Sequence, residues 1–179
     1  MPEDPLQRLY RRPGFMIRRA HQIAVSLFME EMQGLKITKT QYGVLFILKH
    51  RPGVNQISVA KLLGLDRSTA GMVVKKLADA GLVSWDAETG DLRQRSLNLT
   101  AAGEDMLRRL AEPVRRAERR VLAAFDEEEQ AQFLALLDKF TRTFNGVSRV
   151  PVLATERSAK DMADHPPRRK RRNHEAARG

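Results

Sequence analysis

The fold class is decided by residues 55–100, which read NQISVAKLLGLDRSTAGMVVKKLADAGLVSWDAETGDLRQRSLNLT. Asn55 stands before an apolar run with helical spacing and predicts a short helix over residues 56–63, which a glycine ends. Asp66 predicts the cap of a second helix over residues 67–80, again ended by a glycine. A short helix, a glycine-containing turn and a capped second helix are typical of a helix-turn-helix.

The second helix has a predicted outward side made of cationic, short polar and glycine residues: Arg67, Ser68, Thr69, Gly71, Lys75 and Lys76. Short polar side chains in a first turn suit the base edges and phosphates of a DNA major groove, and Gly71 removes bulk where DNA could come close. The alternative is an ordinary amphipathic helix pair with a solvated face, because such patterns also arise by chance.

A β-hairpin is predicted directly after the helix-turn-helix. Residues 82–85 form an apolar strand, and residues 93–99 alternate between apolar and polar side chains after a turn that contains glycine. Beside that turn, Arg93 and Arg95 can place a guanidinium in a minor groove, with Asp91 holding Arg93 by a charge-assisted hydrogen bond. The alternative is an exposed ion pair of little energetic value. The position of the hairpin is that of a wing, and it favours DNA binding.

Helices are predicted on both sides of this region. One runs over residues 13–32, one begins at Thr38 in a capping box, a long one begins at Thr100, and a final one spans residues 127–144. The predicted fold class is therefore mainly α with a small β-hairpin wing, a winged helix-turn-helix with a helical dimerisation region.

Aromatic residues in the last helical part indicate a dimer. Phe125, Phe133, Phe140 and Phe144 form more aromatic surface than one small helical end easily covers. A two-fold homodimer would bury this surface and would match a palindromic DNA site. The alternative is that the four rings belong to an intramolecular core.

The charge balance indicates a polyanionic partner. The 179 residues carry a net charge of +10 and contain no cysteine. The basic character fits nucleic acid, and the lack of cysteine excludes disulfides, thiol catalysis and cysteine-ligated metals. Residues 151–179 hold eight Lys or Arg and four acidic residues, so they contribute +4 and the preceding residues +6. Since this segment has no periodicity, we predict a disordered basic tail.

Other classes of function are not expected. No apolar run approaches the roughly 20 residues of a membrane helix, and the N-terminus lacks the build of a signal peptide, so we predict a cytoplasmic protein with no membrane partner. His21, His50, His165 and His174 do not stand at metal-ligand spacing. No phosphate-binding, dinucleotide or nucleophile motif is present. We therefore predict no metal, no cofactor and no enzymatic activity.

Two stretches resemble the MarR family of multiple-antibiotic-resistance-type regulators. They are LLGLDRSTAGMVVKKLADAGLV (62–83) and DLRQRSLNLTAAG (91–103). The second resembles the family's wing, in which Asp-x-Arg leads into Leu-x-Leu-Thr-x-x-Gly. The matching residues are Asp91, Arg93, Leu97, Leu99, Thr100 and Gly103. The order of elements over residues 10–148 is also similar.

This resemblance implies a domain organisation. It implies a helical dimerisation region over residues 13–36 and 101–148, and a winged helix-turn-helix DNA-binding lobe over residues 37–100 with its recognition helix at residues 67–80. Residues 1–12 are rich in proline and arginine and are predicted to be an extended arm. The resemblance also implies binding to short palindromes as a dimer, with repression relieved by a small phenolic or aromatic acid.

The resemblance further implies an effector pocket between the dimer helices and the DNA-binding lobe. Side chains there that suit a planar aromatic carboxylate are Arg18, His21, Tyr42, Phe46 and His50. The alternative is that the two histidines are partly buried helix residues with backbone partners. The run LYRRPGFMIRRAHQIAVSLF (9–28) also resembles, more loosely, the regulators of nicotinate degradation in this family, which respond to a hydroxylated nicotinate.

Three functions follow as hypotheses. The first is a dimeric, sequence-specific repressor that binds a palindromic operator on double-stranded DNA and is released by a small aromatic acid. The second is a nonspecific or architectural nucleic-acid binder driven by the basic run RRKRR (168–172). The third is a helical interaction module with no role on DNA.

Overall fold

A computed structural model describes residues 4–86 and 95–153, and within these ranges it contains seven α-helices, two β-strands and one 3-10 turn. They are α1 (Pro5–Tyr10), α2 (Pro13–Glu31), α3 (Lys39–His50), α4 (Gln56–Leu63), α5 (Arg67–Asp79), β1 (Val83–Trp85), β2 (Leu97–Leu99), α6 (Ala101–Leu122), α7 (Glu127–Phe144) and the turn Asn145–Val147. The predicted fold class is confirmed. In this part of the chain no helix is both long and apolar enough to cross a membrane.

The helices begin where side chains accept the backbone N–H groups that a helix start leaves free. Thr38 Oγ1 accepts the N–H of Gln41 at 3.2 Å, and the Gln41 side chain accepts the N–H of Thr38 at 2.8 Å, which confirms the capping box. Asn55, Asp66 and Thr100 each accept the N–H of the residue three positions on. The predicted starts of α3, α4, α5 and α6 are therefore confirmed.

Residues 5–10 correct the prediction of an extended arm over residues 1–12. They form α1, in which the Asp4 carboxylate accepts the N–H of Leu6 at 3.0 Å and Pro5 supplies a preset φ at the first helical position. The ring of Tyr10 lies 5.2 Å from the ring of Phe15 on α2. A side-chain cap, a proline at the helix start and an aromatic contact together explain why this segment is helical.

The core lies where α3, α4, α5, the hairpin and α6 meet. Its most fully buried side chains are Val44, Leu45, Leu48, Val59, Val74, Leu77, Leu97 and Leu110. On α3, Val44, Leu45 and Leu48 are buried, whereas Phe46 is 48% exposed. Residues two positions apart point about 200° apart on a helix, so burial of Val44 leaves Phe46 on the outer side.

The wing is a short antiparallel pair in which Val83 stands opposite Leu99. The predicted second strand begins earlier, within residues 87–94, which lie outside the described residues. The second edge of β2 pairs with the segment before α4, where the N–H of Leu97 donates to the carbonyl of Val54 at 2.9 Å. This pairing attaches the wing to the start of the helix-turn-helix.

α2, α6 and α7 form a helical part beside this lobe. α2 packs along α6, and Glu31 joins the two helices through ion pairs with Arg116 at 2.7 Å and Arg120 at 3.0 Å. These guanidinium groups, Arg116 first, lower the pKa of the Glu31 carboxyl below its ordinary value. α6 continues as one helix through Pro113. Every residue of α7 is described and none of them is buried, so its apolar side is left uncovered by the described chain.

Candidate nucleic-acid interface

Helix α5 is held at its N-terminus by Asp66. One oxygen of the carboxylate accepts the N–H of Thr69 at 2.8 Å, and the other accepts the Thr69 hydroxyl at 2.6 Å. These hydrogen bonds, that of the hydroxyl first, lower the pKa of the Asp66 carboxyl, so the cap stays charged at neutral pH. Thr69, a predicted DNA contact, therefore has its hydroxyl engaged in the cap. Arg67 follows, exposed, at the first helical position.

A groove of about 550 Å³ lies between α4 and the outward side of α5. It is lined by Gln56, Ile57, Arg67, Ser68, Gly71, Met72 and Lys75. Four members of the predicted DNA-binding set are thus brought together: Arg67, Ser68, Gly71 and Lys75. Thr69 and Lys76 of the same set are not part of this lining. Arg67 and Lys75 give this groove two cations, and such side chains can pair with DNA phosphates.

The Gln56 side chain lies beside Gly71. A Cβ at this position would stand 3.0 Å from Nε2 of Gln56. Gly71 therefore lets the Gln56 amide pack against α5, and its predicted role in the approach of DNA stays a prediction. The sequence prediction also omits Met72, which is 58% exposed. Met72 stands four residues after Ser68 and therefore on the same helical face, so the spacing in the sequence could have indicated it as a groove residue.

Lys75 is the groove cation with an acidic neighbour. Its Nζ lies 2.7 Å from the carboxylate of Asp79, and both side chains are more than half exposed. An exposed ion pair one turn apart contributes little to stability because water screens it. Lys75 can therefore exchange Asp79 for a DNA phosphate at small cost.

The wing tip, residues 87–94, lies outside the described residues. Asp91 and Arg93 belong to it, so their roles in DNA binding stay predictions. Arg95 is described and is half-buried at the base of β2. Trp85, the single tryptophan of the chain, lies on β1, and its indole N–H is buried with no hydrogen-bond partner in the described structure. Its fluorescence therefore reports on the base of the wing.

Asn55 connects the wing to the helix-turn-helix. Its side chain accepts the N–H of Ser58 at 2.9 Å and caps α4, while its backbone forms a bridge with Ser96 beside β2. One residue thus holds both the start of α4 and the edge of the wing, so the two surfaces that would face DNA are positioned together.

Three of the five predicted effector residues form an aromatic ladder on α3. The ring centroids of Tyr42 and Phe46 are 5.8 Å apart, and those of Phe46 and His50 are 4.4 Å apart. Phe28 of α2 extends the ladder, 6.2 Å from Tyr42. Burial and then the charge of Glu118 raise the pKa of the Tyr42 hydroxyl, so it stays a protonated donor.

The other two predicted effector residues lie elsewhere on α2. The Arg18 guanidinium stands 4.9 Å over the ring of Phe15 and donates to Gln22 at 3.2 Å. His21 is exposed and precedes Phe28 by two helical turns, about 10 Å along the axis. Within one chain, neither side chain joins the ladder. Among residues 4–86 and 95–153, no three His, Asp or Glu side chains converge as metal ligands would.

These features define a class of protein. A capped helix with a cationic groove, followed by a wing and carried on long helices, is a winged helix-turn-helix DNA-binding protein. The MarR family model matches residues 37–94, which is the lobe. The transcriptional repressor Rv2887 of Mycobacterium tuberculosis is 30% identical over 137 residues, which are 76% of this chain and 94% of the relative. The chain belongs to the MarR family of transcriptional regulators.

Solved structures of similar proteins show the fold with both DNA and small ligands. PcaV from Streptomyces coelicolor, in complex with its natural ligand, is 33% identical with a TM-score of 0.68, over 79% of this chain and 97% of PcaV. CouR bound to a 23-mer DNA duplex is 26% identical with a TM-score of 0.70, over 78% and 99% of the two chains. Rv2887, at 26% identity over 72% of this chain, has been solved with DNA (97% of that chain, TM-score 0.58) and with salicylic acid (96%, TM-score 0.57). The family and these relatives are regulators rather than enzymes.

Proposed function

We propose that this protein is a cytoplasmic, dimeric transcriptional repressor that binds a palindromic operator and is released by a small aromatic acid. The observation that carries the dimer is the apolar side of α7, where Leu136 is 65% exposed, Phe140 47% and Phe144 51%. Burial of apolar surface stabilises association by about 25 cal/mol per Å². A second copy would cover this side and present two recognition helices to two half-sites. Repression is supported by the relative Rv2887, which is a repressor.

Removing Arg67 or Arg93 is expected to weaken operator binding. Arg67 opens α5 at the edge of the groove, and Arg93 is the predicted minor-groove residue of the wing. We expect Arg67→Ala and Arg93→Ala each to lower operator affinity by about 1–3 kcal/mol, roughly 5- to 150-fold. Fluorescence anisotropy with a labelled duplex from the promoter region beside the gene measures the change.

Arg109→Ala is the matched control for these variants, because Arg109 is an exposed arginine on α6 and does not line the groove. It should bind as the parent protein does. Unchanged affinity in both Arg67→Ala and Arg93→Ala would rule out the proposed mode of DNA binding.

The aromatic ladder supports a site for a planar aromatic acid. Phe46 is half exposed between Tyr42 and His50, so its ring face is open to a stacked ligand. The Tyr42 hydroxyl is a donor, and His50 can pair with a carboxylate in its charged form. Arg18 and His21 would join only if the partner's helices bring them there. The salicylic acid complex of Rv2887 supports this class of effector.

An aromatic acid is expected to raise the melting temperature and release DNA. At a ligand concentration 100 times its Kd, stabilisation is about 2.7 kcal/mol. We expect salicylate, benzoate or 6-hydroxynicotinate to shift the melting temperature of the parent, and Phe46→Ala to lose the shift because the stacking face is gone. Met29→Ala, which removes an equally exposed apolar side chain from α2, should retain it. A shift of equal size in Phe46→Ala would place the effector elsewhere.

A further inference from the structure

Gln56 lies across the groove from the outward side of α5. It is the first residue of α4, and it lines the groove together with residues 68, 71, 72 and 75 of α5. Those four positions follow the spacing of one helical face, so this face and Gln56 border the same space. α4 contributes Gln56 and Ile57 to the lining, and of the two only Gln56 is polar.

Gly71 determines where the Gln56 amide lies. A Cβ on Gly71 would stand 3.0 Å from Nε2 of Gln56 and 3.7 Å from its Cδ. The amide therefore lies against α5 at a place where any other residue would put its own side chain. At this point of the groove, the polar side chain is supplied by α4 rather than by α5.

The Gln56 amide is available to another molecule. Within residues 4–86 and 95–153 it makes no hydrogen bond, and the residue is only partly buried. A primary amide carries two N–H donors and a carbonyl acceptor. A molecule that enters the groove can therefore pair with a donor and the acceptor at the same time.

The chemistry of the groove favours an A·T base pair. In the major groove, adenine presents the N7 acceptor beside the N6 donor, which matches one amide, whereas guanine presents two acceptors. Met72 adds an apolar side chain that is 58% exposed and suits the C5-methyl group of thymine. Arg67 and Lys75 line the same groove and can pair with the phosphates on either side.

We propose that Gln56, held against Gly71, recognises an adenine of the operator, and that Met72 contacts the methyl group of a neighbouring thymine. Gly71 is then a positioning residue, because it acts by leaving space for the amide. This inference rests on the proposed sequence-specific DNA binding and adds to it the base that a residue of α4 selects. A contact of Gln56 with a phosphate would differ, since it would add affinity without any base preference.

The first experiment measures base preference. The full chain selects duplexes from a library with a randomised stretch, and the bound fraction is sequenced. We expect the parent to prefer adenine at one position by roughly 5- to 150-fold, the range of one bidentate contact. Gln56→Ala should lose this preference and keep the others, and Gln56→Glu should prefer cytosine there, because the N4 amino group of cytosine donates to a carboxylate.

Gln33→Ala is the matched control for the first experiment, because Gln33 is exposed in the turn after α2 and does not line the groove. It should keep every preference of the parent. An unchanged adenine preference in Gln56→Ala, or a loss of affinity that is equal for all sequences, would overturn the inference. A parent without preference at any position would instead contradict sequence-specific binding itself, and the inference with it.

The second experiment removes a methyl group from the DNA. Thymines of the selected duplex are replaced one at a time by uracil, which lacks the C5-methyl group. At one thymine beside the position that Gln56→Ala affects, we expect the parent to lose affinity by about fourfold, the effect of one buried methyl-sized group. Met72→Ala should bind both duplexes alike. Equal sensitivity of the two proteins to that uracil would contradict the contact of Met72.

The third experiment tests the position of the amide. In Gly71→Ala the new Cβ displaces the amide, so the adenine preference should fall by the same factor as in Gln56→Ala. It should fall no further in the double variant, because residues that act as a unit are not additive. Alanine has the higher helix propensity, so Gly71→Ala should melt no lower than the parent, which separates lost recognition from lost folding.

Gly43→Ala is the matched control for the third experiment, because Gly43 lies inside α3 and does not line the groove. It should keep the adenine preference. If Gly71→Ala weakens binding equally with and without the Gln56 side chain, its methyl group meets DNA directly, and the positioning role of Gly71 is overturned.

Discussion

A Gly103→Ala variant is expected to melt well below the parent protein. Gly103 lies in the first turn of α6, and a Cβ there would stand 2.1 Å from the carbonyl oxygen of Leu82. That oxygen accepts the N–H of Thr100 at 3.2 Å, so relieving the clash moves backbone and breaks a hydrogen bond. Overpacking that forces backbone shifts costs typically about 1–3 kcal/mol, and a contact this short with a backbone oxygen belongs at the upper end of that range. The higher helix propensity of alanine offsets about 1 kcal/mol of this cost.

The net loss of about 2 kcal/mol or more should lower the melting temperature by at least roughly 4–8 °C in a chain of this size. Thermal unfolding followed by circular dichroism measures it. Gly43→Ala is the matched control, because its Cβ would meet only the end of the Leu63 side chain, at 2.9 Å. A flexible side chain can rotate away, so this variant should stay near the parent. Equal melting temperatures for the two variants would contradict the backbone clash.

A Phe140→Glu variant is expected to become a monomer and to lose tight DNA binding. Phe140 lies on the apolar side of α7, and its ring centroid is 5.2 Å from that of Phe144, with the two ring planes tilted. A carboxylate buried there against a partner's apolar side would have no counter-charge, so association becomes unfavourable. Linking two DNA-binding lobes raises overall affinity by about 10²–10⁴-fold through effective concentration, and we expect the variant to lose affinity in that range.

Light scattering after size exclusion measures the mass, and anisotropy on the same samples measures DNA binding. Ala135→Glu is the matched control, because Ala135 is exposed on the opposite side of α7 and the new charge is the same. It should remain a dimer. Since Phe140 is exposed within one chain, the variant should keep its helical signal. A Phe140→Glu protein that still forms dimers and binds DNA like the parent would refute the proposed interface.

Most helix boundaries were predictable because they depend on neighbours in the sequence. Thr38, Asn55, Asp66 and Thr100 all cap helices through the N–H three residues on, which any local reading detects. The early helix α1 is the exception. Its signals, Asp4 and a following proline, were present in the sequence but stood within a segment dominated by charge and proline.

The candidate DNA surface was predictable only on one helix. Arg67, Ser68 and Lys75 follow from the outward side of α5, since the spacing of one helix determines its face. Gln56 does not, because it belongs to α4 and reaches Gly71 only through the way the two helices cross. The same limit applies to the predicted effector residues. Helical spacing on α3 brings its three aromatic rings together, but it cannot show where the side chains of α2 lie relative to them.

Local chemistry along the chain was therefore enough for the order of α2 to α7 and for the hairpin, because caps, glycine ends and strand alternation act over a few residues. Long-range packing alone established the contact of Gly103 with Leu82, the contact of Gly64 with Val152, and the burial of Val44 while Phe46 stays half exposed. These contacts join residues far apart in sequence, and their geometry exists only once the helices have packed against one another.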